Sequence, residues 1–191
     1  DYTDTVDRIR TELDVEIEFV AFDGLGETPS FARSLSEVTA NAEAVEPDVE
    51  VSENDVAYIN FSSGSTGLPK PLVTRHGQIT EMIHIEAGGT TEEGRILNAC
   101  GTGFMGWENV TLTNVAVGAT TVFHDGDIER VAELAEREQL TRISLITTPW
   151  RILLRSGALT EYDLDSVESA GISGEPITPE LYDELQEKVT D

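Results

Sequence analysis

Apolar positions recur at two periods along this chain. Val6, Ile9 and Leu13 fall at helical spacing and predict a short amphipathic helix; Val15, Ile17 and Phe19 then alternate with acids, as in a half-buried strand over 15–22. Residues 24–54 carry glycines, prolines and many acids. They predict a surface connection with a short helix around 31–38. Asp55 leads into Val56-Ala57-Tyr58-Ile59-Asn60-Phe61, a compact apolar strand that stops at a cluster of glycine and serine. Residues 71–74 predict a short strand, and 76–87 a helix with Ile79, Met82 and Ile83 on one face, ended by Gly88-Gly89. Beyond it strand and helix alternate: strand 95–100, helix 108–117, strand 120–124, helix 128–139, strand 142–147, helix 150–156, strand 166–172. A last helix follows, with Pro179 in its first turn and Leu181, Leu185 and Val189 four apart. Repeated β-then-α units predict an α/β fold, a mostly parallel sheet with helices on both faces.

The 39% hydrophobic content of the 191 residues is enough to bury a core for one domain, or for two small ones. No apolar run approaches the roughly 18 to 20 residues that span a bilayer, and Asp1-Tyr2-Thr3-Asp4 is no signal-peptide start. A soluble, cytoplasmic protein is expected. The single cysteine, Cys100, excludes a disulfide framework; flanked by Ile96, Leu97 and Ala99, it predicts a buried, inert thiol.

Candidate chemistry concentrates in Ser62-Ser63-Gly64-Ser65-Thr66-Gly67-Leu68-Pro69-Lys70, directly after an apolar strand. Glycines let backbone N–H groups turn toward an anion, hydroxyls add neutral donors, and lysine adds a mobile point charge. These are the groups a phosphate chain needs, although a flexible surface turn has the same composition. The spacing is not that of Walker A, which leaves P-loop kinases and GTPases without support. His76, His84 and His124 lack metal-site spacing and read as structural or surface residues, with His76 near enough to the loop to meet a nucleotide.

The string closely resembles the phosphate-binding signature of the adenylate-forming family, which includes AMP-forming acyl-CoA synthetases; ten positions match from Phe61 to Lys70. The departure is Pro71, where the family usually has glycine; proline removes one N–H and stiffens the turn. Two further segments follow in family order. Gly106-Trp107 with Val117-Gly118-Ala119-Thr120-Thr121 resembles the segment that shapes the acyl pocket, which implies that Gly106, Trp107 and Asn109 face the acyl group. Phe104 stands where many relatives have Asp, and Trp107 reads equally as core. Ser173-Gly174-Glu175-Pro176-Ile177 resembles the segment beside the adenine, implying adenine contacts from Gly174, Glu175 and Pro176.

The resemblance covers nearly the whole chain and implies the central part of the family's N-terminal AMP-binding domain. In it, 1–54 form a lead-in and 55–191 the phosphate loop with its β/α units. It also implies the reaction: ATP and a carboxylic acid give an acyl-adenylate and pyrophosphate, and the acyl group then passes to coenzyme A. Ser62, Ser63, Gly64, Ser65, Thr66, Gly67 and Lys70 would hold the ATP phosphates, and Lys70 would steady charge on the leaving pyrophosphate. Mg2+ is implied as well, with its ligand outside these residues. The later family elements, including the lid domain, are not found, so the 191 residues are expected to bind nucleotide weakly without turnover.

Two other classes stay open. Gly101-Thr102-Gly103-Phe104-Met105-Gly106, with Asp125 about 20 residues on, satisfies the Rossmann dinucleotide layout. A stand-alone nucleotide-binding or interaction module would keep the loop without the catalytic remainder.

Charge narrows the partners. With 37 Asp plus Glu against 12 Lys plus Arg, the net charge is −25 and the acids are spread along the chain, a field that repels nucleic acid and anionic membrane alike. Lys70 and Lys188 are the only lysines. This pattern predicts a surface adapted to high salt, because at about 1 M the Debye length falls to roughly 3 Å and self-repulsion is screened. Unfolding followed against KCl concentration is expected to show stability rising with salt; indifference to salt would contradict a halophilic origin.

Overall fold

The computed structural model describes residues 3–13, 16–24, 26–62, 67–101, 105–124 and 126–189, with the backbone alone at Met105. The chain divides into two units, Asp1–Glu50 and Val51–Asp191.

In the first unit, helix α1 (Thr3–Glu12) is followed by strand β1 (Phe19–Ala21), strand β2 (Ala32–Ser34) and helix α2 (Leu35–Ala40). The two strands pair in parallel, Phe19 with Ala32 through Ala21 with Ser34. Neither helix contributes a buried residue. Partly exposed contacts tie the unit together: Phe19 meets Phe31 edge-to-face at 5.6 Å, and the Arg10 guanidinium lies 4.9 Å from the Phe31 centroid. Arg33 bridges Glu18 at 2.8 Å and Glu37 at 3.3 Å, and both carboxylates raise its pKa. The strand predicted over 15–22 shrinks to three residues, with Val15 outside the described residues. The helix predicted around 31–38 starts at Leu35 instead. Ser34 is the reason: its Oγ accepts from the Glu37 N–H at 3.1 Å, an N-cap that leaves the residues before it extended and free to pair with β1.

The second unit opens with an antiparallel hairpin, β3 (Val56–Phe61) and β4 (Pro71–Arg75), in register from Phe61 opposite Pro71 to Val56 opposite Arg75. Pro71 is tolerated because it sits at the end of a strand in a two-stranded ribbon. Helix α3 (His76–Glu86) leads to the alternating run β5 (Arg95–Asn98), α4 (Met105–Val117), β6 (Thr120–Phe123), α5 (Val131–Glu138), β7 (Arg142–Ile146), α6 (Thr147–Ser156), α7 (Ala158–Glu161), β8 (Ser169–Ser173) and α8 (Pro179–Val189). Strands pair in the order β6-β5-β7-β8, all parallel.

The expected parallel sheet is therefore present in these four strands, whereas β3 and β4 form a separate antiparallel sheet. The strand predicted over 166–172 begins at Ser169, because Leu164 and Val167 close a turn (Val167 N–H to Leu164 O, 2.8 Å) and drop into the core. Pro179 opens α8 behind Thr178, whose Oγ1 accepts from the Leu181 N–H at 3.4 Å.

Period-two alternation divides the parallel sheet. Leu97, Ile143 and Leu145 enter one core with Val131 and Leu134 of α5, Trp150 and Leu153 of α6, and Leu181, Leu185 and Val189 of α8. On the other face, Asn98 binds α4. Trp150 is fully buried and its Nε1–H donates to the Gly171 carbonyl at 2.8 Å, joining α6 to β8. Trp150→Phe removes that bond and leaves a void, so urea unfolding should report a loss of about 2 kcal/mol; an unchanged midpoint would mean that the indole is not a packing anchor.

Candidate functional site

Because β6, β5, β7 and β8 are parallel, their carboxyl ends, Phe123, Asn98, Ile146 and Ser173, share one edge of the sheet. The chain leaves β5 for β6 on one side and then returns past β5 to β7 on the other. The direction of winding thus reverses between β5 and β7, the position where open α/β sheets leave a crevice for ligands.

At the exit of β5, Asn98 is 2% exposed and its amide is fully used. Its Nδ2 donates to the Trp107 carbonyl and to Thr111 Oγ1, both at 3.0 Å, while Oδ1 accepts from the Cys100 N–H at 3.1 Å. One side chain therefore pins α4 to the end of β5. Gly106 makes this approach possible: a Cβ there would lie 2.8 Å from Cys100 Sγ. Trp107 turns away and stacks on Phe123 at 6.1 Å.

A cavity of about 250 Å³ lies between α4 and the β5–β7 face, lined among others by Gly106, Asn109, Thr113, Arg142, Ser144 and Ser173. Of the three residues implied for the acyl group, Gly106 and Asn109 line this cavity. Trp107 is absent from its lining; its ring is engaged with Phe123.

At the exit of β8, Gly174 adopts φ +82°, and a Cβ would press on Ile146 Cγ2 at 3.0 Å; only glycine takes this turn without strain. The next residue is held by the start of α6. Thr147, 1% exposed, donates to the Glu175 carbonyl at 3.2 Å, and Thr148 Oγ1 donates to the Glu175 carboxylate at 2.8 and 3.1 Å. Gly174 and Glu175 are thus fixed at the carboxyl edge beside the cavity that Ser173 lines, with the exposed Pro176 next in the chain. Asn98, Thr147 and Thr148, which perform this positioning, escaped the sequence reading. Their signal was a polar residue ending an apolar strand and a threonine pair opening a helix.

The loop 62–70 joins the antiparallel strands as a hairpin connection, closed by the Ser62 N–H donating to the Lys70 carbonyl at 3.0 Å. Gly67 and Lys70 are exposed, and Lys70 makes no ion pair among the described residues. Ser63, Gly64, Ser65 and Thr66 lie outside the described residues, as do Thr102, Gly103, Phe104 and Asp125. Among the described residues no hydrogen bond joins this loop to the parallel-sheet edge.

His124 is held in a structural role, since Nδ1 accepts from the Gly126 N–H at 2.9 Å, which leaves Nε2–H facing the Ala99 carbonyl at 3.4 Å. A larger cavity, about 590 Å³, opens at the opposite, amino end of β8, beside Tyr162, Val167 and the end of α8. Asp163, Asp165, Glu168 and Glu187 line it, so it would repel a nucleotide.

The model of a family described as "AMP-binding enzyme" matches residues 4–191. Over 169 residues the chain is 29% identical to acetyl-coenzyme A synthetase 2 of Debaryomyces hansenii, covering 81% of this chain and 24% of that protein. Acetoacetyl-CoA synthetase from Streptomyces lividans superposes with a TM-score of 0.83 at 22% identity, over 99% of this chain and 31% of that one. O-succinylbenzoate coenzyme A synthetase from Bacillus subtilis, in complex with ATP and magnesium ion, gives 0.74 at 23% identity, over 96% and 40%. At these identities the two structures speak for the fold. The chain spans about a third or less of the curated relatives it matches.

Cys100 is partly buried, and burial first, then the nearby Glu108 carboxylate, pushes its thiol above the usual cysteine range. The protonated form persists to higher pH, so alkylation by iodoacetamide at pH 8 should run slower than in the urea-unfolded chain, and Glu108→Gln should speed it. Equal rates in folded and unfolded protein would contradict this environment.

Proposed function

The chain belongs to the AMP-binding enzyme family, and from that premise we propose that it forms the nucleotide- and acid-facing part of a ligase that activates a carboxylic acid with ATP and transfers it to coenzyme A. The observation that carries this reading is the carboxyl edge at the β5–β7 reversal, where the Gly174–Glu175–Pro176 turn stands beside a cavity. Family membership displaces the dinucleotide alternative. Gly106 also has a sufficient reason in its approach to Cys100.

In this reading the adenine lies along Gly174 to Pro176, where a glycine turn lets a flat base approach the backbone. The acid enters the cavity bordered by Gly106 and Asn109, and its own carboxylate oxygen attacks the α-phosphate. No side chain acts as a covalent nucleophile. The loop Ser62, Ser63, Gly64, Ser65, Thr66, Gly67 and Lys70 supports the β and γ phosphates, with Lys70 stabilising charge as it moves onto pyrophosphate; such fixed donors contribute several kcal/mol in a closed site. Magnesium would offset phosphate charge; among the described residues no group of three or more His, Cys, Asp or Glu suits a metal.

No helix among the described residues is long and apolar enough to cross a membrane. The reading extends to a cytoplasmic enzyme in a high-salt organism, supported by the net charge of −25.

Calorimetric titration of the 191-residue chain with ATP should show saturable binding that Lys70→Ala weakens roughly tenfold, the loss of one charge-assisted phosphate contact. Binding of NADH without ATP or AMP would overturn the reading.

A further inference from the structure

The face that α4 turns to the cavity is a stripe at helical spacing: Gly106, Asn109, Val110, Thr113 and Asn114. Such a stripe against a sheet is ordinarily apolar, yet this one carries three polar side chains. Thr113 is 4% exposed and Asn114 2% exposed. Asn114 donates from Nδ2 to Thr121 Oγ1 at 2.9 Å. Thr113 Oγ1 is buried with no hydrogen-bond partner among the described residues, a state that costs free energy unless something supplies one. In a helix, threonine has two accessible χ1 rotamers, so rotation about χ1 gives the closed-off hydroxyl a route to the cavity.

A second donor lies farther along the same cavity. Arg142 lines it, its Nη1 3.6 Å from where a Cβ on Gly89 would stand. Among the described residues its guanidinium makes neither ion pair nor side-chain hydrogen bond. Glu86 also lines the cavity. The cavity runs along β7 from Ile146 at the carboxyl edge to Arg142 at the start of the strand, four residues or roughly 13 Å. Its 250 Å³ holds about eight water-sized groups and falls below the roughly 300–1,000 Å³ of drug-sized pockets.

We propose that the cavity selects a short carboxylic acid carrying a hydrogen-bond acceptor, an oxo or hydroxyl oxygen, on its tail. The tail oxygen accepts from Thr113 or Arg142, while the reacting carboxylate stays at the Ser173 end. A long alkyl chain exceeds the volume and leaves both donors unpaired. The proposal rests on the reading that the acid occupies this cavity, and it adds what kind of acid.

The test compares two acids of equal size, 4-oxopentanoate and 4-methylpentanoate, by saturation-transfer NMR titration of the 191-residue chain, with ATP titrated in parallel. The oxo acid should bind more tightly. Thr113→Val should weaken the oxo acid roughly three- to tenfold, the loss of one hydrogen bond, and leave the methyl acid unchanged or tighter. The thermal midpoint of that variant should hold or rise, since it removes an unsatisfied hydroxyl. Equal binding of the two acids, no binding of either, or an equal loss of both in Thr113→Val would overturn tail recognition. If ATP binds in those cases, the nucleotide reading stands. A preference for the oxo acid without ATP binding would leave tail recognition standing and remove the nucleotide reading.

Discussion

The parallel pairing of β5 with β6 on one side and β7 on the other is the constraint from which the site follows. Parallel neighbours need crossover connections, so helices α4 and α5 must lie between them, and every strand must deliver its carboxyl end to the same edge. Once β5 has partners on both sides, the winding has to reverse at its carboxyl end. The cavity, Asn98 and the β8 exit all lie around that reversal.

Stability and site are separated across this sheet. Leu97, Ile143 and Leu145 face the apolar core with α5, α6 and α8, where burial supplies the driving force. The opposite face carries Asn98, Ser144 and the polar stripe of α4, a poorer packing surface held by directed hydrogen bonds. Asn98 meets the cost of its own burial by using both ends of its amide. Thr113 finds no partner among the described residues, and on that ground a ligand is proposed for the cavity. Most ion pairs lie on the exposed surface, where each is worth little.

Much of this was legible in the sequence, and the misses have physical causes. Strands and helices from 95 to 189 announced themselves because their periodicity is local and their apolar faces are continuous. The hairpin around the glycine–serine loop was visible as two strands, but nothing local told that they pair with each other and apart from the parallel sheet. Pairing is a long-range property. Strand β2 was missed since Ala32-Arg33-Ser34 has no strand pattern of its own and is extended only through β1 and the Ser34 cap. At the site, the glycines spoke clearly because backbone shape demands them at Gly174 and Gly106. Resemblance alone points Trp107 toward the acyl group, and its contact with Phe123 is not readable from spacing. Asn109, Thr113 and Asn114 sit at visible helical spacing; their meaning depends on which face of α4 meets the sheet.

A nucleotide is proposed to occupy the carboxyl edge at the β5–β7 reversal together with the hairpin loop. Amide chemical-shift mapping of the ¹⁵N-labelled chain during titration with AMP tests it most directly. Saturable shifts at Gly174, Glu175 and Cys100, with changes at Ser62 or Lys70 once ATP replaces AMP, are the predicted result. Shifts confined to Asp163, Asp165 and Glu187 around the larger acidic cavity, or no saturable shift at all, would contradict it.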